Sequence, residues 1–196
     1  EGPEASGKST QLKLLKKFLL INKIPFIITR EPGGTKIGEN LRKIILNKKY
    51  SISTTEEILL LMSSRMNHIN NLIKPAILEG KIVISDRFAD SSFVYQGIVN
   101  KFGLKKSLEL HKLILNNYLP NKTFLFLLPV NVIIERIENR KINNKYDKID
   151  TNFHSKIIAG YKKLSKNDKR FIRINASQKS SIIQNQIINH FKKIIK

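Results

Sequence analysis

The first residues of the chain have the types and spacing of a phosphate-binding loop. Gly2, Gly7, Lys8 and Ser9 match the pattern G-x-x-x-x-G-K-[ST] at every fixed position. Glycines permit the turn and the close approach that let successive backbone N–H groups point at an anion. The residues that we expect to contact a nucleotide are Gly2, Pro3, Glu4, Ala5, Ser6, Gly7, Lys8, Ser9 and Thr10.

The fixed positions of this loop have separate chemical roles. A predicted helix begins at Lys8 and directs the positive end of its dipole at the anion. We expect the Lys8 ammonium to contact the β- and γ-phosphates and the Ser9 hydroxyl to bind Mg²⁺. The spacing therefore predicts a nucleoside triphosphate site with Mg²⁺. It does not tell what the nucleotide is used for.

Two further polar clusters follow predicted strands. The first is Thr29–Thr35, with the sequence TREPGGT, and the second is Asp86–Gly97, with the sequence DRFADSSFVYQG. The carboxyl ends of the strands in a parallel sheet lie at the edge where ligands bind. We therefore expect both clusters to lie at the ligand-binding edge.

Arginine is placed selectively in this lysine-rich chain, which has 28 lysines and 8 arginines. Arg30, Arg65 and Arg87 lie in or between the two clusters, and Arg136 and Arg140 lead into a polar tract. The planar guanidinium matches phosphate in a bidentate way that an ammonium cannot. The placement indicates an anionic ligand, although Arg65 and Arg136 are also compatible with exposed helix surfaces.

The elements that must position these residues follow an α/β pattern, because apolar runs of strand length alternate with longer stretches of helical period. The predicted strands span residues 25–29, 81–85, 123–128 and 170–174. The predicted helices span residues 8–21, 37–46, 54–79, 104–117, 131–140, 150–164 and 180–195. A sheet whose first loop enters a helix needs another strand, which we expect before Glu1. We find no repeat or linker and predict one domain over residues 1–196.

Composition narrows the class of protein. The 196 residues include no cysteine, which excludes disulfide scaffolds and thiol catalysis. The apolar stretch around Phe124–Ile134 is interrupted by Pro129 and Asn131, so we expect no membrane span and a cytoplasmic protein. The net charge is +21, but the lysines are spread along the chain, so we expect solvated faces and no nucleic-acid partner.

In this order, the motifs resemble those of the thymidylate kinase family, P-loop enzymes that phosphorylate dTMP with ATP. The resemblance runs from Glu1 to about Leu164 and rests on the loop, Thr29–Thr35, Asp86-Arg87-Phe88, Tyr95-Gln96-Gly97, Phe153-His154 and Gly160-Tyr161. It implies a three-layer P-loop fold with a five-stranded parallel sheet flanked by helices. It also implies ATP with Mg²⁺ in the loop, a dTMP pocket beside it, a lid at about residues 140–150 and a homodimer.

The resemblance further implies roles for single residues. Arg30, Arg65 and Arg87 would bind or position the dTMP phosphate. Glu4 would accept a hydrogen bond from the sugar 3′-hydroxyl, and Asp86 would support the Mg²⁺ shell. The nucleoside pocket would be lined by Ser91, Tyr95 and Gln96, with Leu61 where the family commonly stacks a phenylalanine on thymine.

The family supplies its transition-state arginine either from the P-loop or from the lid. This loop contains no arginine between Gly2 and Gly7, so the lid must supply the cation. Arg140 is the first candidate and Arg136 the second. A cation brought in by closure would stabilise the charge that spreads over the oxygens of the transferring phosphoryl group.

Two other functions stay open at this point. A deoxynucleoside kinase shares the P-loop, but its acceptor carries no phosphate and has no need of Arg30, Arg65 and Arg87 together. A P-loop ATPase acting on nucleic acid would agree with the net charge of +21. It would need a residue that activates water and a contiguous basic face, and neither is evident. The three arginines favour a monophosphate acceptor.

Overall fold

The computed structural model describes residues 1–47, 49–139, 146 and 150–195. Its strands are β1 (Phe26–Arg30), β2 (Ile82–Asp86), β3 (Thr123–Leu127) and β4 (Phe171–Asn175). Each has five residues, rich in the β-branched and aromatic types that suit a pleated, half-buried surface. No helix in this part of the chain is long and apolar enough to cross a membrane.

Helices form most of the remaining described chain. The first half contains α1 (Lys8–Ile21), α2 (Lys36–Leu46), α3 (Thr54–His68), a π-helical segment (Ile69–Ile73) and α4 (Lys74–Leu78). The second half contains α5 (Ala89–Ser92), a second π-helical segment (Phe93–Val99), α6 (Leu104–Leu115), α7 (Val130–Glu138), α8 (Thr151–Leu164) and α9 (Ser180–Ile194). The helices expected from the hydrophobic period are all present, and the one expected over residues 54–79 is three consecutive helical segments.

Local sequence signals explain where several of these helices begin. Ser53 and Glu56 form a complete capping box, in which each side chain accepts a hydrogen bond from the other residue's backbone N–H. The Thr35 hydroxyl caps α2 by accepting from the N–H of Gly38. Helix α1 follows Gly7, whose φ of 88° lies in the left-handed region that glycine adopts without strain.

The strands form two parallel pairs. β1 pairs with β2 so that Arg30 lies opposite Asp86, and β3 pairs with β4 so that Leu127 lies opposite Asn175. Parallel neighbours place their carboxyl ends at the same edge. Arg30 and Asp86 therefore bring the two polar clusters side by side, as the sequence predicts.

The backbone of Glu1 lies beside β3. Its amino group donates to the carbonyl oxygen of Phe124 at 2.9 Å, and its carbonyl oxygen accepts from the N–H of Phe126 at 2.9 Å. This alternation is the hydrogen-bond pattern of a parallel bridge. A cavity of about 410 Å³ is lined by β2, β3, α1 and α9. Within the described residues, the five-stranded sheet that we expected is seen as four strands in two pairs with a cavity beside them.

The hydrophobic core lies on both faces of the strands. One cluster joins Leu19 of α1, Ile133 of α7 and Ile187 of α9 against β3 and β4. A second cluster joins α3 to α5 and α6, with Ile58 and Phe93 among its buried members. These clusters fix the helices on which the polar side chains of the site stand.

One element was absent from the sequence-based interpretation. Residues 89–99 are helical, whereas the sequence suggested only a polar cluster after a strand. Every residue from Phe93 to Gly97 is buried, so the segment has no exposed face and no amphipathic period to reveal it. Its π-helical part places Tyr95 and Gln96 on a second cavity, which Glu4 and Leu61 also line.

Candidate active site

The glycine-rich loop between Glu1 and α1 folds around the end of the Lys8 side chain. The Lys8 ammonium donates to the carbonyl oxygens of Gly2 at 3.0 Å and Pro3 at 2.6 Å. It also lies 3.2 Å from the hydroxyl oxygen of Ser6. Burial of the ammonium, followed by the nearby positive charge of Arg87, lowers the pKa of Lys8 to about 8.

The side chains proposed for the metal lie next to the loop. The Ser9 hydroxyl is 3.5 Å from Asp86 Oδ2 at the end of β2. The other carboxylate oxygen, Asp86 Oδ1, is buried and has no hydrogen-bond partner within the described residues. A hydroxyl with an orphaned carboxylate oxygen suits Mg²⁺, which binds through one or two carboxylates, substrate phosphates and water. The described residues contain no cluster of three metal-binding side chains, and Mg²⁺ does not need one.

Glu4 joins the loop to the residues that follow β2. Its Oε1 lies 2.7 Å from Arg87 Nη2, and its Oε2 accepts a hydrogen bond from the Tyr95 hydroxyl. Burial, and then the nearby Glu4 charge, raise the pKa of Tyr95 well above its ordinary value, so the phenol remains a donor. Arg87 Nη1 donates to Gly2 O and to Ser91 Oγ, both at 3.0 Å. Arg87 therefore contacts both the glycine-rich loop and Ser91, which lines the second cavity.

The three arginines of the predicted phosphate site each face a different carboxylate. Arg87 pairs with Glu4 at 2.7 Å, Arg65 pairs with Glu31 at 2.6 Å, and Arg30 pairs with Glu39 at 2.8 Å. Arg65 is buried, whereas the Arg30 side chain is 54% exposed. Arg65 and Arg87 line the same cavity and Arg30 does not. The structure thus brings two of the three together, and Arg30 lies outside them.

The cavity itself has a volume of about 60 Å³. Seven of the eight side chains predicted to contact the acceptor line it: Glu4, Leu61, Arg65, Arg87, Ser91, Tyr95 and Gln96. Leu61 supplies an apolar wall, while Glu4 and the two arginines supply charge. The lining combines an apolar wall with a few convergent polar groups, as small-molecule sites do, but the volume is well below the roughly 300 Å³ at which such sites begin.

The sequence analysis missed Tyr146, which lines this cavity, and Glu57, which contacts two of the lining side chains. Glu57 is buried and accepts a hydrogen bond from Gln96 Nε2 at 3.2 Å. The hydroxyl of Tyr146 donates to the same Glu57 carboxylate, and its ring meets Tyr95 edge-on with centroids 5.3 Å apart. A glutamate that follows the capping box gives no sequence signal of a distant partner, so this contact could not be predicted.

Of the two lid candidates, Arg136 lies within the described residues and Arg140 does not. Arg136 on α7 donates to Ala5 O at 3.3 Å and to Ala176 O at 3.2 Å. It thereby ties the phosphate loop to the turn that follows β4. Arg140 and most of the expected lid at residues 140–150 lie outside the described residues.

The site joins a phosphate loop, a carboxylate–hydroxyl pair suited to Mg²⁺ and a neighbouring cavity with two arginines. This arrangement defines a P-loop phosphotransferase with a small acceptor. The sequence profile described as thymidylate kinase matches residues 1–187 of the chain.

Relatives named thymidylate kinase align over most of the chain. The chain is 40% identical to the one from Clostridium novyi (strain NT), over 91% of this chain and 89% of the relative. It is 39% identical to the one from Mycoplasma mobile, over 100% and 97%, and 40% identical to the one from Orientia tsutsugamushi (strain Ikeda), over 96% and 89%. The chain belongs to the thymidylate kinase family. It is an ATP-dependent kinase that phosphorylates dTMP to dTDP, and neither alternative function is favoured.

Proposed function

We propose that ATP binds along the Gly2–Thr10 loop and that dTMP binds in the cavity on the other side of Glu4. The observation that carries this assignment is the position of Arg87, which donates to Gly2 of the loop and to Glu4 and Ser91 of the cavity. A group shared by both sites suits a reaction in which a phosphoryl group passes from one to the other.

In this proposal the side chains bind and orient the two nucleotides. Lys8 exchanges its contacts with Gly2 and Pro3 for the β- and γ-phosphates of ATP. An oxygen of the dTMP phosphate attacks the γ-phosphorus, and the bond to the oxygen bridging the β- and γ-phosphorus breaks, which releases ADP. The attacking oxygen is already ionised, so the site needs no general base. Arg87 holds the acceptor phosphate, and Glu4 accepts a hydrogen bond from the sugar.

Ser9 and Asp86 are the residues that would hold Mg²⁺. When bound, the ion supplies positive charge that offsets the charge on the phosphate oxygens. The support on the protein side is the buried, unpartnered Asp86 Oδ1, among the described residues, together with the Ser9 hydroxyl near Asp86 Oδ2.

The nucleoside portion is assigned to the opposite end of the cavity. Leu61 provides the apolar surface for the base, and Tyr95 and Gln96 border the sugar and base. Arg30 is assigned a supporting role in holding the acceptor phosphate, because it stands opposite Asp86 at the ends of the paired strands. Arg140 in the lid remains the proposed transition-state cation, with Arg136 as the second candidate.

The five-stranded sheet is part of the proposal. A fifth strand between β2 and β3 would fill the cavity there, beside which the backbone of Glu1 makes a parallel bridge to β3. We propose that residues 1–196 form one kinase domain with a lid at about residues 140–150.

We further propose a homodimer in the cytoplasm, where the substrates ATP and dTMP are available. The exposed face of α3 supports the dimer, because Leu59 and Met66, seven residues apart, are 50% and 44% exposed. Two apolar side chains two helical turns apart suit helix-on-helix contact. Light scattering after size exclusion distinguishes a dimer from a monomer.

An ADP-release assay tests the proposed reaction. The enzyme is supplied with ATP and Mg²⁺ and, in separate reactions, with dTMP, thymidine, dUMP or single-stranded DNA. The proposal expects release with dTMP far above the rate with thymidine, DNA or no acceptor. Release that thymidine or DNA stimulates more strongly than dTMP would instead support one of the other two functions.

A further inference from the structure

A buried polar cluster extends from Glu31, which lines the acceptor cavity, to side chains behind the cavity wall. Glu31 is 5% exposed, and its carboxylate is shared between two partners. Oε2 accepts from Arg65 Nε at 2.6 Å, and Oε1 lies 3.0 Å from His68 Nδ1. Arg65 and His68 both lie on α3, one turn apart, so the single Glu31 carboxylate joins two side chains of the same helix.

His68 is fully buried and contacts polar atoms on both sides of its ring. Its Nε2 lies 2.7 Å from the Thr29 hydroxyl at the end of β1. A carboxylate only accepts hydrogen bonds, so the hydrogen on the Glu31 side belongs to His68 Nδ1. A Cβ on Gly34 would lie 2.5 Å from both His68 Nε2 and Thr29 Oγ1, so only glycine leaves room for this pair.

The Arg65 guanidinium has strong hydrogen-bond partners at Nε and Nη2 but, within the described residues, not at Nη1. Its Nη2 donates to Ser92 Oγ at 2.8 Å, in addition to the bond from Nε to Glu31. Its Nη1 has only the weak contact with Met62 Sδ, at 3.9 Å, among the described residues. Arg65 lines the acceptor cavity, so Nη1 carries the donors that remain for a ligand. The direction in which they point depends on where Glu31 holds Nε.

We infer that His68 is a positioning residue for acceptor binding, which acts through Glu31 on the guanidinium of Arg65. The Thr29 hydroxyl holds the His68 ring in place, the ring orients the Glu31 carboxylate, and the carboxylate orients the Arg65 guanidinium. His68 itself does not line the cavity. The inference rests on the proposed function, because it assigns the open end of Arg65 to dTMP.

Two amide substitutions of His68 separate the contacts of its two nitrogens. In His68→Asn the side-chain amide takes the place of Nδ1 and can still donate to Glu31. In His68→Gln the amide takes the place of Nε2, and the donor to Glu31 is lost. We expect His68→Gln to raise the KM for dTMP about tenfold, as loss of a hydrogen bond to a charged group does. The KM for ATP should change by less than about twofold in both variants, and His68→Asn should keep the KM for dTMP within about twofold of wild type.

The KM also separates positioning from a purely structural role, because KM does not depend on the fraction of enzyme that is folded, whereas apparent kcat does. Unfolding midpoints are measured alongside. An unchanged KM for dTMP in His68→Gln, with a lowered midpoint, would overturn the inference. An equal increase in both variants would overturn it as well.

The Arg65→Lys variant completes the test. If His68 acts through Arg65, adding His68→Gln to Arg65→Lys should raise the KM for dTMP no further, and full additivity of the two effects would contradict the inference. Failure of the proposed function is a separate result, since it appears as wild-type enzyme that does not phosphorylate dTMP.

Discussion

Arg87 Nη2 lies 2.7 Å from Glu4 Oε1, so a residue that follows β2 and a residue inside the phosphate loop form a buried ion pair. Glu4 and Arg87 are 7% and 19% exposed at their side chains. The pair lies where the glycine-rich loop meets the cavity lined by Leu61, Arg65 and Tyr95. A substitution of either residue leaves the other charge without this partner.

Replacing Lys8 by alanine should lower kcat by about 10²–10³, the usual cost of losing a preorganised charge contact in the transition state. No other residue of the Gly2–Ser9 loop carries a positive charge. Steady-state kinetics with dTMP in excess measure the effect. Lys13→Ala is the matched control, because Lys13 is exposed on α1 and its loss removes the same charge. Near-normal turnover in Lys8→Ala would contradict the assignment of the loop.

The pH dependence of ATP binding should report the state of Lys8. The pKa of Lys8 is lowered to about 8, so the side chain is protonated below that pH and neutral above it. Phosphates favour the ammonium, so ATP affinity should be level below about pH 8 and should fall by up to about tenfold per pH unit above it. Calorimetric titration across this range measures the profile. Lys8→Met should bind weakly with a flat profile, and an equal decline in that variant would assign the titration to another group.

The two lid candidates should affect different kinetic constants. Arg136 donates to Ala5 O and Ala176 O, so Arg136→Ala should raise the KM for ATP roughly fivefold with a smaller change in kcat. Arg140→Ala should instead lower kcat by on the order of 10³ and leave binding of ATP and dTMP almost unchanged. The kcat of Arg140→Lys should fall between those of wild type and Arg140→Ala, because lysine keeps the charge but cannot bind phosphate in a bidentate way. Single-turnover kinetics with binding titrations separate the two effects, and the reverse pattern would exchange the roles.

The phosphate loop and the two polar clusters could be predicted because their chemistry is contiguous in sequence. Gly2, Gly7 and Lys8 lie within one short loop. The order of strands and helices places Asp86 and Arg30 at the carboxyl edge of the sheet. Of the seven cavity residues, Glu4 lies in the loop and four lie in the cluster that follows β2, whereas Leu61 and Arg65 lie on α3; their roles were predicted from the family resemblance.

The remaining contacts depend on tertiary packing that no local pattern encodes. Glu31 lies in the predicted motif, but its sharing between Arg65 and His68 arises only when α3 packs against the end of β1. The pairing of Glu57 with Tyr146 spans 89 residues. Likewise, the helical Phe93–Gly97 segment is buried on every side and lacks the period that would have revealed it.

Binding of dTMP and thymidine to wild type and to Arg87→Ala tests the central claim most directly, because the two ligands differ only in the phosphate. The account predicts that wild type binds dTMP at least about tenfold more tightly than thymidine, and that Arg87→Ala loses most of this preference while thymidine binding changes little. The KM for dTMP should likewise rise far more than the KM for ATP. A preference for dTMP that survives intact in Arg87→Ala would contradict the account, because the acceptor phosphate would then lie elsewhere.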